Sequence, residues 1–324
     1  MKTPLSALAA TLFAGLLLYL LVNYSGLTTE DLTPLLKSPS VLALCGILVA
    51  SFGHMTCSAL KWHLIVRRIA PAQANQAGHM FFLFYTTLSA ALAQFVMVHL
   101  ASLLVRGLAM RIHHRVPFAH GAATSIFEQL FDVYVLLLFA ICGVIAWYAD
   151  LTPAIWPAVV IIVVVVGWFA LFLTLRMLQV HSITYQGSYR ILRSIAGWLT
   201  TCRSFDLLEG HLVLRLYGLS LLRYFFMALR MFIVVVAVAP AIDLFDAVIG
   251  FTVVQTSQLI AVTPGSLGIT EWTWAGYLSL LGYSTTVATA FSLALRILSY
   301  ASILAVLCLA GLLLTLEKFL QHRP

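Results

Sequence analysis

The sequence predicts an all-α protein that crosses a membrane several times. Of its 324 residues, 62% are hydrophobic and only 9% are charged, whereas soluble domains carry about 25% charged residues. The hydrophobic residues form long runs, such as 5–22, 41–60 and 154–175, and each run approaches the roughly 20 residues that span a bilayer as a helix. Lipid therefore provides the apolar environment that a buried core provides in a soluble protein.

Eight hydrophobic segments follow one another along the chain. They cover about 5–22, 41–60, 79–116, 121–148, 154–175, 212–239, 245–282 and 285–314. The first resembles a signal peptide, but no small-x-small cleavage site follows it, so we interpret it as an uncleaved span. The five cysteines include no CxxC pair and the histidines show no ligand spacing, so we expect neither a disulfide framework nor a bound metal or cofactor.

The third segment is predicted to enter and leave the membrane on the same side. If all eight segments crossed, basic residues would fall on both sides, which contradicts the positive-inside rule. With a hairpin in the third segment, these basic residues all become cytoplasmic: Lys2, Lys61, Arg67, Arg68, Arg111, Arg115, Arg176, Arg190, Arg193, Arg203, Lys318 and Arg323. Acidic loop residues such as Asp150 and Asp243 then lie outside. We therefore expect cytoplasmic termini and a location in the bacterial inner membrane.

The seventh segment is also predicted to be a re-entrant hairpin, because Thr-Pro-Gly-Ser-Leu-Gly at 263–268 interrupts it. The arm after this break is too short for a full crossing, and backbone groups freed at a break must face protein or a wet cavity. The two halves, about 1–150 and 151–324, then contain the same order of elements, two spans, a hairpin and a span, but start on opposite faces of the membrane. The prediction is a single transmembrane domain with about six full spans and two re-entrant hairpins in an inverted-topology repeat, as in many transporters.

Several charged residues lie inside the predicted segments, where each costs about 2.5–3.5 kcal/mol on insertion scales. They are Arg106, Glu128, Asp132, Arg215, Arg223, Arg230, Glu271 and Arg296. One interpretation is a set of ion pairs that join helices, with Arg106 and Arg215 reaching water at a membrane edge. We favour a hydrated cavity in which the arginines bind a phosphate or carboxylate, because the guanidinium presents a planar fork of donors.

The break in the seventh segment provides a second candidate anion site. Half-helices that end at a Gly-rich break direct N–H groups into a cavity, and Gly265 and Gly268 allow backbone to approach a ligand closely. The tryptophans have a different predicted role. Trp62 and Trp274 are expected at the membrane interface, where Trp is enriched.

The residues around this break resemble the signature of the flippase-like superfamily, the transmembrane region of lysylphosphatidylglycerol synthases and its stand-alone relatives. The matching residues are Pro264, Gly265, Gly268 and Glu271, then Leu281 and Gly282, then Arg296. In the first half, Arg106, Glu128 and Asp132 match motif positions of the family. Val98, Ser102, Leu103 and Gln129 depart from its pattern. We therefore expect a less sharply broken first hairpin.

The resemblance implies a membrane lipid translocase, not an enzyme, that moves an anionic phospholipid or a polyprenyl-phosphate-linked lipid between leaflets. We expect no aminoacyl-transferase domain, so lipid lysinylation is not implied. The predicted substrate site comprises Arg106, Glu128, Asp132, Arg223, Arg230, Pro264, Gly265, Gly268, Glu271 and Arg296. Two alternatives stay open: a membrane-embedded transferase acting on a lipid-linked substrate, and a non-transporting assembly subunit. Nucleic-acid binding is not expected, since membrane orientation explains the net charge of +7.

Overall fold

In the computed structural model, which describes residues 3–28, 30, 33, 39–96, 98–148, 154–180, 206–259 and 263–321, all regular structure is helical. The helices are α1 (Thr3–Ser25), α2 (Val41–Ile69), α3 (Pro71–Gln76), α4 (His79–Leu92), α5 (Val98–His114), α6 (Phe118–Tyr148), α7 (Trp156–Val180), α8 (Gly210–Val238), α9 (Leu244–Ser257), α10 (Ile269–Leu280) and α11 (Thr285–Gln321). A 3₁₀ turn, Pro264–Ser266, precedes α10. The prediction of an all-α polytopic membrane protein is confirmed.

Five of the described helices, α2, α6, α7, α8 and α11, are long and apolar enough to cross a membrane. Helix α1, with 23 residues, also has the length of a crossing. The least buried of the five is α7, which exposes large apolar side chains such as Ile161, Val165 and Phe169. Such a surface is unfavourable in water but suits the hydrocarbon interior of a bilayer. The chain is an integral membrane protein.

Helix α2 is longer than its hydrophobic segment, and this changes the position of one charge. It begins after Ser40, whose hydroxyl accepts a hydrogen bond from Ala43 N at 3.2 Å, and it continues to Ile69, with Arg67 and Arg68 in its last turn. Lys61 therefore lies within the helix, and its side chain is fully buried. The sequence grouped Lys61 with the basic residues of the cytoplasmic surface, whereas the structure buries it among the helices.

The third and seventh hydrophobic segments each form two short helices that contact one another, α4 with α5 and α9 with α10. Their lengths are 14, 17, 14 and 12 residues, below the roughly 20 needed to span. The first break contains neither Pro nor Gly, yet the helix is fully interrupted there: α4 ends at Leu92 and α5 begins at Val98. The second break has Gly265, Ser266 and Gly268 at φ of 58°, 55° and 83°, a left-handed conformation that glycine adopts most easily.

The two helical pairs meet at their breaks. Gly265 N donates a hydrogen bond to Val96 O at 3.2 Å, and a Cβ on Gly265 would lie 2.7 Å from Gln94 O, so this approach requires glycine. Each pair also packs against a long helix of the other half, α4 against α11 and α9 against α6, while α2 and α8 pack together. The polar residues of these helices are thereby collected around one region of the protein.

Candidate functional site

Two adjoining cavities lie where the helical pairs approach each other. The first lobe, of about 180 Å³, is lined by Arg106, Glu128, Asp132 and Arg223, among others. The second lobe, of about 220 Å³, is lined by Arg223, Arg230, Arg296 and Gly265, among others. The residues shared by both linings are His54, Met55, Ala90, Ala93, Arg223, Gln255 and Gln258. We call the two lobes together the chamber.

The first lobe is bordered by a network of buried ion pairs. Arg106 pairs with Glu128, and Lys61 pairs with Asp132 and also lies 3.6 Å from Glu128 Oε1. Arg223 Nη1 is 2.7 Å from Asp132 Oδ2. Each carboxylate of this lobe therefore has two cationic neighbours, one of which, Lys61, is common to both. Charged side chains are usually buried away from water only when opposite charges compensate them.

Further contacts hold this network in place. Ser220 Oγ donates to Asp132 Oδ1 at 2.8 Å and accepts from Lys61 Nζ at 3.1 Å. The Arg106 guanidinium lies 5.1 Å from the ring centre of Trp62, a distance that allows a cation–π contact. Trp62 is fully buried and Arg106 is 5% exposed. Trp62 therefore does not face lipid as the expected interfacial anchor, and the alternative interpretation in which Arg106 reaches water at a membrane edge is not supported.

The second lobe is shaped by Arg296, which holds the turn at the second break. Arg296 pairs with Glu271, and its Nη1 and Nη2 donate to Gly265 O and Ser266 O, each at 3.2 Å. Glu271 Oε2 in turn accepts a hydrogen bond from Gly268 N at 2.7 Å. This contact satisfies an N–H group at the start of α10 that would otherwise lack a partner.

Arg230 differs from the other buried arginines. Its guanidinium donates to Ser51 Oγ at 3.4 Å, and Ser51 is also hydrogen-bonded to Ser302 Oγ at 2.7 Å. Within the described part of the chain, no carboxylate lies within ion-pair distance of Arg230. Among the described residues, the second lobe also has no Asp or Glu in its lining. Positive charge therefore dominates this lobe.

The structure brings together seven of the ten predicted site residues in the chamber wall: Arg106, Glu128, Asp132, Arg223, Arg230, Gly265 and Arg296. Pro264, Gly268 and Glu271 lie behind the wall and shape the turn. A Cβ on Gly268 would lie 2.5 Å from Leu17 Cβ, so Gly268 faces α1. Arg215 is exposed and lies outside both linings.

Sequence reasoning did not assign Lys61 or His54 to the site, nor lining residues such as Thr270 and Gln255. Lys61 belongs to the ion network, and His54 lines both lobes. The signal for both was present, because His54, Ser58 and Lys61 follow the spacing that places polar residues on one helical face. Trp274 was also misplaced: it is 1% exposed and lines the second lobe, so its expected interfacial position is wrong.

These helices and this chamber define an integral membrane protein with a buried ionic cavity. The chain belongs to the family described as the lysylphosphatidylglycerol synthase TM region, whose model matches residues 6–306. The resemblance seen in the sequence is thereby confirmed, and it relates the chain to lipid handling in membranes. Comparisons with curated proteins and with solved structures found no match.

Proposed function

We propose that the protein is a membrane lipid translocase that moves an anionic phospholipid or a polyprenyl-phosphate-linked lipid between leaflets. The headgroup occupies the chamber while the hydrocarbon tails remain in the bilayer. One observation carries the proposal: the cationic side chains described in and around the chamber outnumber the carboxylates by five to three. The cations are Lys61, Arg106, Arg223, Arg230 and Arg296, and the carboxylates are Glu128, Asp132 and Glu271. An anionic headgroup would balance the excess positive charge.

We propose further that both helical pairs are re-entrant and enter from opposite faces, so that 1–150 and 151–324 form inverted repeats of one transmembrane domain. The equivalent packing of α4 against α11 and of α9 against α6 supports this arrangement. Rocking one repeat against the other would open the chamber to each leaflet in turn. The basic residues Arg67, Arg68, Arg111 and Arg115 support cytoplasmic termini in a bacterial inner membrane.

The ion pairs of the chamber disfavour a transferase. A general acid or base must be able to exchange a proton with its substrate at the working pH. Glu128, Asp132 and Glu271 each contact a cationic side chain of the protein, so their oxygens are engaged by the protein rather than directed at a substrate. We therefore propose that the protein is not an enzyme. In an assembly subunit, the buried arginines would serve only to stabilise the fold. Arg230 does not fit this role, because it forms no ion pair in the described structure.

A scrambling assay in proteoliposomes tests the translocase. Fluorescent phosphatidylglycerol, phosphatidic acid and a polyprenyl phosphate are placed in liposomes with and without purified protein, and a membrane-impermeant quencher reports lipid in the outer leaflet. We expect protein-dependent transfer that Arg230→Gln slows at equal protein content. Arg215→Gln is the matched control, because it removes an exposed arginine from the same helix. Absence of transfer for every anionic lipid tested would rule out the proposal.

A further inference from the structure

We infer that the second lobe is a phosphoryl-binding site that accepts headgroups without an ammonium group. This inference deepens the proposed translocase function and rests on it for the route by which the lipid arrives. The first argument is the composition of the lining. Arg223, Arg230 and Arg296 line the lobe together with hydroxyl groups of Thr270 and Ser292, so hydrogen-bond donors reach the lobe from several helices.

The second argument is that several of these donors have no partner. Ser292 Oγ, Thr270 Oγ1 and Arg223 Nε are buried and make no hydrogen bond within the described structure, and the same holds for His54 Nδ1. Ser292 is 2% exposed and His54 is 7% exposed. Buried polar atoms are rarely left without partners in folded proteins, and each exception requires an explanation. A bound oxyanion explains these four atoms together.

A phosphoryl group matches this arrangement better than a carboxylate does. A guanidinium offers two parallel N–H groups to two oxygens of a phosphate, and the Ser292 and Thr270 hydroxyls can donate to the oxygens that remain. A carboxylate has only two oxygens and would leave some donors unpaired. The lobe has a volume of about 220 Å³, several times the roughly 30 Å³ that one water occupies in the liquid. It therefore has room for a phosphate with a small substituent.

The chamber lacks a site for an ammonium group. Glu128 is paired with Arg106, Asp132 with Lys61 and Arg223, and Glu271 with Arg296. In the described part of the chamber, every carboxylate thus already has a cationic partner, and an ammonium would have to compete with Lys61 or an arginine for it. Selectivity arises from such competition as much as from attraction to the preferred ligand. Phosphatidylglycerol, phosphatidic acid and polyprenyl phosphates are therefore the expected ligands, and phosphatidylethanolamine is disfavoured.

Binding to the purified protein in detergent tests the inference separately from transport. Short-chain phosphatidylglycerol, phosphatidylethanolamine and diacylglycerol are titrated by calorimetry. We expect phosphatidylglycerol to bind at least about tenfold more tightly than phosphatidylethanolamine, because the ammonium would have to displace a cationic side chain from its carboxylate. Diacylglycerol should not bind. Equal affinity for the two phospholipids would overturn the inference.

Variants locate the site. Arg230→Gln, and the double variant Thr270→Val with Ser292→Ala, should each weaken phosphatidylglycerol binding, the first by about tenfold or more because a charge-assisted hydrogen bond is lost. Arg215→Gln and Thr315→Val are the matched controls, since both residues lie outside the lobes. Unchanged affinity in the lobe variants, with the folded state verified by size-exclusion chromatography, would place the phosphoryl group elsewhere.

The outcomes separate this inference from the proposed function. Selective binding without transfer in proteoliposomes would overturn the translocase and leave the phosphoryl site standing. Transfer of phosphatidylethanolamine at the same rate as phosphatidylglycerol would overturn the site and leave the translocase standing. Inorganic phosphate is the last probe. If phosphate displaces phosphatidylglycerol only at concentrations far above those of the lipid, the result supports a lipid headgroup site. If phosphate binds as tightly as the lipid does, the site is a site for free phosphate and not for a lipid.

Discussion

The two lobes of the chamber use arginine in opposite ways. In the first lobe, Arg106 pairs with Glu128 and Arg223 with Asp132, so the charges neutralise one another. In the second lobe, Arg230 has no carboxylate partner within the described chain, although Arg296 pairs with Glu271 and donates to backbone carbonyl groups of the turn. Position inside an apolar helix therefore does not distinguish a structural arginine from a ligand-binding one; the identity of its partners does.

Arg223 connects the two lobes, because it contributes to both linings. Its partner Asp132 also contacts Lys61 and accepts a hydrogen bond from Ser220 at 2.8 Å. If Arg223 turned toward a ligand in the second lobe, Asp132 would keep these two partners and would not become an isolated buried charge. Arg223 can therefore turn toward a headgroup in the second lobe without leaving Asp132 unpaired, a change that would otherwise destabilise the first lobe.

The largest expected effect follows from Lys61→Met, which removes a cation from the ion network of the first lobe. Lys61 is fully buried and contacts both Asp132 and Glu128. Removing one partner of a buried ion network typically costs about 3–5 kcal/mol, so we expect a large loss of folded protein and a lower Tm in detergent. Adding Asp132→Asn should recover part of the loss. A single Lys61→Met variant with the wild-type Tm would show that the network does not stabilise the fold.

Arg230→Gln provides the converse test in the second lobe. Because Arg230 has no ion pair in the described structure, its loss leaves no carboxylate unpaired, and the Tm should stay near that of the wild type. Lipid transfer should fall by about ten- to a hundredfold, since hydrogen bonds to a charged group contribute about 1.5–3 kcal/mol. Measuring Tm and transfer on the same preparations separates the two effects. A large drop in Tm with proportionally reduced transfer would assign Arg230 a structural role.

Gly265→Ala tests whether the two lobes depend on contact between the two breaks. A Cβ at this position would lie 2.7 Å from Gln94 O, and the φ of 58° is unfavourable for alanine. The conformational strain alone amounts to about 1–2 kcal/mol. We expect a modestly lower Tm and slower transfer. Gly276→Ala is the matched control, because a Cβ there meets nothing within 4 Å. Equal behaviour of the two variants would argue against a required contact.

The sequence was sufficient to predict the long helices and the second break, because the length of an apolar run and its interruption are local properties. The first break lacks Pro and Gly and was predicted only from the distribution of basic residues; it is complete, not less sharp as expected. The end of α2 was misjudged, since Lys61 terminates the apolar run although the helix continues to Ile69. The pairing of charges could not be predicted, because Lys61 and Asp132 or Arg106 and Glu128 are far apart in sequence. Trp62 and Trp274 were misplaced for a related reason: an amphipathic side chain suits either an interface or a polar cavity.

Glu271→Gln should have the smallest effect on lipid transfer, and it refines the difference between the lobes. The substitution removes the charge but keeps an acceptor for the Gly268 N–H, because a side-chain amide oxygen can take the place of Oε2. The amide NH2 then takes the place of Oε1 and faces Arg296, so the ion pair is lost, while Arg296 keeps its hydrogen bonds to Gly265 O and Ser266 O. The free energy of unfolding should fall, but by no more than the roughly 3–5 kcal/mol typical of breaking a buried pair. The released positive charge should hold an anionic headgroup longer and slow its transfer a few-fold.

Glu271→Ala is the comparison variant, because it removes both the charge and the acceptor for Gly268 N–H. It should lower the free energy of unfolding by about 1 kcal/mol more than Glu271→Gln does, the usual cost of losing a helix cap. If Glu271→Gln transferred lipid at the wild-type rate and bound phosphatidylglycerol with wild-type affinity, the charge of Glu271 would have no influence on the second lobe. The ion pair with Arg296 would then serve only to shape the turn at the second break, and its role would be structural, like that of the pairs in the first lobe.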